Sequence, residues 1–286
     1  MPDPGRAVSR AAGLSSTDRT EPGLDGGAGG AGRRRRKADR FGRILQLLSE
    51  NGSVDVADLA ARLGVSEATI RRDLQALADQ QLLERAHGGA IFQGSAYELP
   101  VRYRGGQARA EKQRIAAAAL QRAADGGVIA LTGGTTTTEI GRLLARGPEV
   151  SVVTNALNIA AELAVRPNIK LIVTGGVARG ASYELVGPLA DATLAKINID
   201  LAFIGVDGID AGAGLTTQNE TEAATDRALI ARSRKVIVVA DGSKLGRVVF
   251  ANICPVSVVS ELITDDHADP AEVQRLRAAG LTVTVV

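Results

Sequence analysis

Residues 40–50, RFGRILQLLSE, place Phe41, Ile44, Leu45 and Leu48 three and four positions apart. That spacing predicts an amphipathic helix, ended by Asn51-Gly52. VADLAARL (56–63) predicts a second helix, capped by Asp55 and stopped at Gly64. A third is predicted over EATIRRDLQALADQ (67–80), with Ser66 as N-cap and Glu67 favourably placed near the positive helix end. Its apolar stripe is Ile70, Leu74 and Leu77. Ala68, Arg72 and Gln75 fall on the opposite face, with Arg71 on the shoulder. QLLERAHGGAIF (81–92) is two short apolar stretches around Gly88-Gly89 and predicts a small β-hairpin.

Beyond residue 110 the pattern changes. AEKQRIAAAALQRAA (110–124) is a strong helix by propensity. Short continuous apolar runs then alternate with helical segments: VIAL (128–131), VSVVTN (150–155), IKLIVTGG (169–176), IDLAFIGVDGID (199–210), KVIVVADGSK (235–244) and ELITDD (261–266). Apolar runs alternating with helices predict an α/β domain with a mainly parallel, doubly wound sheet covered on both faces.

These patterns divide the chain. Residues 1–37 hold few large apolar residues and are expected to be a disordered tail. Residues 38–93 are expected to form a winged helix-turn-helix, 94–109 a linker with Gly94, Pro100, Gly105 and Gly106, and 110–286 the larger α/β domain. The basic run Arg33–Lys37 reads as a solvated tail segment that can also meet phosphates.

Composition narrows the chemistry. Aromatics make up 2% of the 286 residues and Trp is absent, which argues against base-stacking platforms for single-stranded nucleic acid. A net charge of +2 excludes a globally cationic coat, so any DNA affinity must come from local charge. One cysteine, Cys254, and two histidines, His87 and His267, leave no intrachain disulfide and no Cys- or His-rich metal site. No cofactor or metal is expected. No apolar run is long enough to span a membrane and no signal peptide is recognised, so a cytoplasmic location is expected.

The third helix carries chemistry suited to a major groove. Arg can bond guanine bidentately, Gln can bond adenine, and small residues permit close approach. Ser66 and Thr69 lie at its N-terminus, where hydroxyls and free N–H groups meet phosphates. The bland alternative is an ordinary three-helix bundle. The run VSEATIRRDLQALADQQLLERAHGGA resembles the DeoR-family helix-turn-helix, keeping Val65, Ser66, Thr69, Ile70, Arg71, Arg72, Asp73, Leu74, Leu83, Arg85, His87, Gly88, Gly89 and Ala90 of its pattern. The resemblance implies double-stranded operator DNA as partner, contacts from Ser66, Thr69, Arg71 and Arg72, and Arg85 and His87 in or near the wing. Gln75 joins them by its place on the open face. Within 39–92 acidic residues slightly outnumber basic ones, so a moderate salt dependence is expected.

In the second domain, LTGGTTTTEIG, VVTNALN, IVTGGVARG and VADGSK put polar or glycine residues at the C-terminal ends of predicted strands, where open parallel sheets bind ligands. Gly133-Gly134 before Thr135–Thr138 suits a phosphate at a helix start, and Lys244 can add a point charge. Capped turns look alike, so an ordinary loop stays open. DLAFIGVDGIDAGAGLTTQNETEAATDRALI with VADGSKLGRVVF is similar to the DeoR-type effector domain. That resemblance implies a fold related to ribose-5-phosphate isomerase and a phosphorylated sugar effector. Its phosphate would meet Gly134, Thr135, Thr136, Thr137 and Lys244, and its hydroxyls would meet Asn155, Gly175, Gly176 and Asp207. Two positions depart from the family: Thr132 stands where aspartate is common, and Asp226 where lysine is common. Asp226 is expected to be a solvated helix residue.

The implied function is a repressor of a carbohydrate-utilisation operon, not an enzyme, acting as a homo-oligomer. The alternatives are a sugar-phosphate isomerase using Asp207 and Asp210, and an adaptor whose helix-turn-helix meets protein.

Overall fold

A computed structural model of the chain describes residues 27–91, 100–104, 106, 108–123 and 127–286. The first helix, α1 (Gly27–Asn51), begins eleven residues before the predicted start of the domain at 38 and takes in the Arg33–Lys37 run. Arginine and lysine are good helix formers, and the run is continuous with the Phe41 helix. The rest of the expected tail, 1–26, lies outside the described residues.

After α1 come β1 (Ser53–Asp55), α2 (Val56–Leu63), α3 (Glu67–Ala78), β2 (Glu84–Ala86) and β3 (Gly89–Ile91). The caps fall where the side chains dictate. Asp55 accepts from the Ala57 and Asp58 amides, Gly64 turns left-handed, and Ser66 accepts from the Thr69 amide. Phe41, Ile44, Leu45 and Leu48 of α1 pack with Leu59 of α2 and Ile70, Leu74 and Leu77 of α3 into one core. The wing is three-stranded, in the order β1-β3-β2, with Gly88 at φ 81° in its turn. Strand β1 is only three residues, too short to show a period in sequence.

The expected linker carries a short helix, α4 (Val101–Arg104), while residues 92–99 lie outside the described residues. The second domain follows with α5 (Arg109–Arg122), β4 (Val128–Leu131), α6 (Thr135–Leu144), β5 (Val150–Thr154), α7 (Leu157–Leu163) and β6 (Ile169–Val173). Next are β7 (Val177–Ala178), β8 (Leu185–Val186), α8 (Pro188–Leu194), β9 (Ile199–Ile204), β10 (Gly208–Asp210), β11 (Gly214–Thr217) and α9 (Glu220–Ala231). The chain closes with β12 (Ser233–Val239), β13 (Ala251–Cys254), β14 (Glu261–Thr264), α10 (Pro270–Ala278) and β15 (Val283–Val285).

Seven strands form the main sheet in the order β15-β14-β12-β9-β4-β5-β6, and every pairing in it is parallel. Alternate residues feed two cores. Ile129, Leu131, Phe203 and Ile237 pack on one face with Ile115 and Ile140. Ala130, Ala202, Ile204 and Val238 pack on the other with Leu229. Both faces are buried, which is why the strands read as unbroken apolar runs. A small antiparallel sheet, β10-β11-β13, and the pair β7-β8 complete the domain. From β4 the chain winds outward through β5 and β6, then crosses back to β9 on the other side of β4. The winding direction therefore reverses between β4 and β9, the place where sheets of this kind open a ligand crevice. Among the described residues no helix is long and apolar enough to cross a membrane.

Candidate functional site

The open face of α3 presents the residues its sequence places there. Ala68, Arg71, Arg72 and Gln75 are exposed, and Ile70, Leu74 and Leu77 are fully buried behind them. Ser66 is exposed and Thr69 half-buried, their hydroxyls 3.0 Å apart at the helix start. Arg71 pairs with Glu67 at 2.9 Å, and Gln75 donates to Asp79 at 2.9 Å. Arg85, on β2, donates to the Arg71 carbonyl at 3.1 Å, tying the wing to the helix. His87 is exposed in the wing turn. Sequence reasoning left Asp73 without a role. It is 3% exposed and pairs with Arg40, clamping α3 to α1 from the side away from the open face.

The second candidate site is a cavity of about 530 Å³ at the switch point. Its walls come from the ends of three neighbouring strands: Gly133 and Gly134 after β4, Gly205–Asp207 after β9, and Ala240 and Asp241 after β12. Thr135 and Thr136 open α6 there, and no side chain caps that helix. Its free amides and positive end face the space, an arrangement suited to an anion. Lys244 lies on the same wall. Burial lowers its pKa, and the nearby Asp207 and Asp241 carboxylates work against that shift.

Four predicted ligand residues stand elsewhere. Thr137 is buried and its hydroxyl donates to the Gly134 carbonyl at 3.1 Å. Asn155 is buried beneath the cavity and donates to Glu184 at 3.4 Å. Gly175 and Gly176 follow β6, two strands away from the switch point, and neither lines the cavity. The loop after β6 looks like the others in sequence, but the crevice is walled by the ends of β4, β9 and β12, and β6 lies beyond β5 at the far edge of the sheet. Thr132 is 1% exposed, and its hydroxyl accepts the Gly205 amide at 3.0 Å, so it joins the ends of β4 and β9.

Asp226 needs correction. It is not solvated: it is 4% exposed and lines the cavity. Helix α9 is covered by the main sheet, the small sheet and α8, so a position read as an outer face is inside. Burial, then the Glu222 and Asp207 charges, raise the Asp226 pKa well above the usual carboxylate range.

Other cavity groups were missed in sequence. Lys112 on α5 is 5% exposed and lies 3.7 Å from Asp241. A signal existed: Lys112 falls on the same helical stripe as the buried Ile115, Ala116 and Ala119. Burial lowers its pKa, with Asp241 opposing. Arg104 of α4 donates to Asp207 at 2.9 Å. Burial works against ionisation of Asp207, but Arg104, Lys244, the Gln218 amide and the Thr217 hydroxyl outweigh it and hold the pKa low.

Helix α4 joins the two sites. Tyr103 is 7% exposed, its ring 5.9 Å from Phe41, and its hydroxyl donates to Gln80 at 2.7 Å. Gly42 lets α1 and α4 touch, since a Cβ there would stand 2.1 Å from the Tyr103 carbonyl oxygen. Asp39, Arg43 and Gln46 of α1 also line the cavity.

Comparison with known proteins agrees with both halves. The DeoR-like helix-turn-helix domain matches residues 40–96, and the DeoR C terminal sensor domain matches 107–266. The HTH-type transcriptional regulator GlpR of Haloferax volcanii is 37% identical over 86% of this chain and 96% of its own. The putative aga operon transcriptional repressor of Escherichia coli O157:H7 is 35% identical over 87% of this chain and 94% of its own. The glycerol-3-phosphate regulon repressor of Escherichia coli K12 is 32% identical over 80% and 91%. Among solved structures, a ribose-5-phosphate isomerase in complex with phospho-erythronic acid overlaps 46% of this chain and 52% of its own, at 22% identity and a TM-score of 0.34. That overlap is partial, and the fold rests on the strand order above. With a capped recognition helix, a wing and a sensor domain matched along its length, the chain belongs to the DeoR family of helix-turn-helix transcriptional regulators.

Proposed function

We propose that this regulator represses a carbohydrate-utilisation operon and that a phosphorylated sugar in the switch-point cavity controls its hold on DNA. One observation carries the reading: α4 spans both sites, with Arg104 on the cavity carboxylate Asp207 and Tyr103 in the core of the DNA-binding domain. A ligand competing for Asp207 or Arg104 biases α4, and Tyr103 passes the bias to Phe41 and Gln80. Coupling of this kind is reciprocal, so operator DNA changes effector affinity by the same factor.

In this reading the phosphate meets the start of α6 at Gly134–Thr136, with Lys244 and Lys112 as cations. Arg72 and Gln75 read base edges, Ser66, Thr69 and Arg71 meet the backbone, and Arg85 and His87 act from the wing. The exposed Arg71–Glu67 and Gln75–Asp79 contacts hold these side chains only weakly and yield to DNA at little cost. A symmetric dimer reading paired half-sites is the oligomer such a motif favours.

The isomerase alternative has less support. A general base works best with a pKa near the working pH. Asp207 is held low by Arg104 and Lys244, and Asp210 is committed to the Gly212 and Ala213 amides at 2.8 Å each.

The test is selection of operator fragments from genomic DNA, followed by binding with and without phosphorylated sugars. A change of at least about tenfold in operator Kd with one of them is expected, and Arg72→Ala weakens binding at least about tenfold, near the value of one bidentate base contact. The proposal fails if no phosphorylated sugar stabilises the protein or alters DNA binding.

A further inference from the structure

One acceptor in the cavity wall has no donor among the described residues. Three carboxylates line the part of the wall formed by β9, β11 and α9: Asp207, Glu222 and Asp226. Asp207 is held by Arg104 at 2.9 Å and by the Thr217 hydroxyl at 3.2 Å. Glu222 accepts from Arg179 at 2.7 Å and shares the single proton of the same hydroxyl with Asp207, also at 3.2 Å. Asp226, one turn beyond Glu222 on α9, is 96% buried by its 4% exposure, and its Oδ1 meets no donor among the described residues. A buried oxygen without a donor is costly, and a ligand group that donates to it removes the cost. The donor can be a hydroxyl or an ammonium, and the surroundings choose. The charges that bear on Asp226 are Glu222 and Asp207, both negative, and Arg227. Arg227 is exposed and directed to the Asn252 carbonyl. The cavity cations Lys112 and Lys244 stand with Asp241 and Asp207 instead. A hydroxyl gains one hydrogen bond at this end, whereas an ammonium gains it together with the field of both neighbours.

We propose that the effector is a phosphorylated amino sugar, with its ammonium on Asp226 and Glu222 and its phosphate at the start of α6. This rests on the phosphorylated-sugar reading of the same cavity and names the class of sugar. Binding has a proton balance. Burial and the Glu222 and Asp207 charges favour the protonated Asp226 carboxyl, and the proton it holds in the empty cavity goes to solvent as the ammonium–carboxylate pair forms.

The experiment is titration calorimetry of the full chain with two matched pairs, glucosamine 6-phosphate against glucose 6-phosphate and galactosamine 6-phosphate against galactose 6-phosphate. The amine member of at least one pair binds ten times more tightly or better, and its binding enthalpy varies with the ionisation enthalpy of the buffer. Asp226→Asn, which keeps the shape of the side chain, cuts that preference below threefold and reduces the buffer dependence to that of the ligand's own phosphate and amine. If the hydroxyl member binds as well or better in both pairs, the amino-sugar assignment falls while the phosphorylated-sugar reading stands. If the preference survives in Asp226→Asn, Asp226 is not its source and the assignment falls. If none of the four sugars binds, the amino-sugar assignment falls, and the phosphorylated-sugar reading is decided separately by the wider set of phosphorylated sugars.

Discussion

Asp226 concentrates the cost of the sensor cavity in one side chain. In the unfolded chain its carboxyl ionises near pH 4. In the folded chain burial, with Glu222 and Asp207 beside it, keeps the proton to higher pH. The native state then binds more protons than the unfolded one, so this group's contribution to stability falls as pH rises from about 4 to its folded pKa. Asp207 acts in the opposite sense, since its depressed pKa gives stability that is lost only as pH falls below the usual carboxylate range. Between pH 5 and 8 the Asp226 effect stands apart. Thermal unfolding at fixed ionic strength is expected to show a smaller loss of Tm across that window in Asp226→Asn than in the parent chain; equal losses refute the protonated state. None of this was legible in the sequence. The departure of Asp226 from its family was visible, but its burial depends on the small sheet closing over α9, and β13 of that sheet comes only after β12 along the chain. Lys112 was closer to legible, because it extends a buried stripe of its own helix.

Elements differ in how much local sequence decides. Helix α3 is specified by neighbours: Ser66 caps it, a period of 3.6 buries Ile70, Leu74 and Leu77, and the open face follows by exclusion. The parallel strands were legible for a similar reason, since burial on both faces leaves continuous apolar runs. Strand β1 and helix α4 were not. Each is three or four residues, too short for periodicity, and both are held by distant partners: β1 by β3, α4 by Phe41, Gln80 and Asp207. The coupling proposal belongs to α4. Tyr103→Phe keeps the ring against Phe41 and deletes the hydroxyl that donates to Gln80. It is expected to reduce the factor by which effector changes operator Kd by about threefold or more, with each ligand's separate affinity changed by less. A net loss of one neutral hydrogen bond, roughly 1 kcal/mol, is a factor of this size. An unchanged factor in gel-shift titrations would place the coupling in another contact.

At the scale of the whole molecule, a net charge of +2 means DNA affinity cannot come from bulk attraction. In the proposed reading it comes from local cations, Arg71, Arg72 and Arg85 together with the run Arg33–Lys37. Removing one cation from a phosphate reduces the slope of log Kobs against log salt by about 0.9. Replacing the arginines of 33–36 by alanine, which preserves helix propensity, is expected to shallow that slope by about one or more without altering sequence preference. An unchanged slope would make the run a bystander.

The way α4 is shared bears on exchange of parts between relatives. The side chain before the Tyr103–Arg104 peptide bond belongs to the DNA-reading half, and the one after it to the sensing half. A hybrid regulator cut elsewhere in 94–109, at one of its glycines, would carry Tyr103 and Arg104 together from one parent and leave one of them facing a partner it was not shaped for. To stay responsive, a hybrid must take Gly42, Phe41, Gln80 and Tyr103 from one parent and Arg104 with Asp207 from the other. The joint between its parents then falls on a single bond.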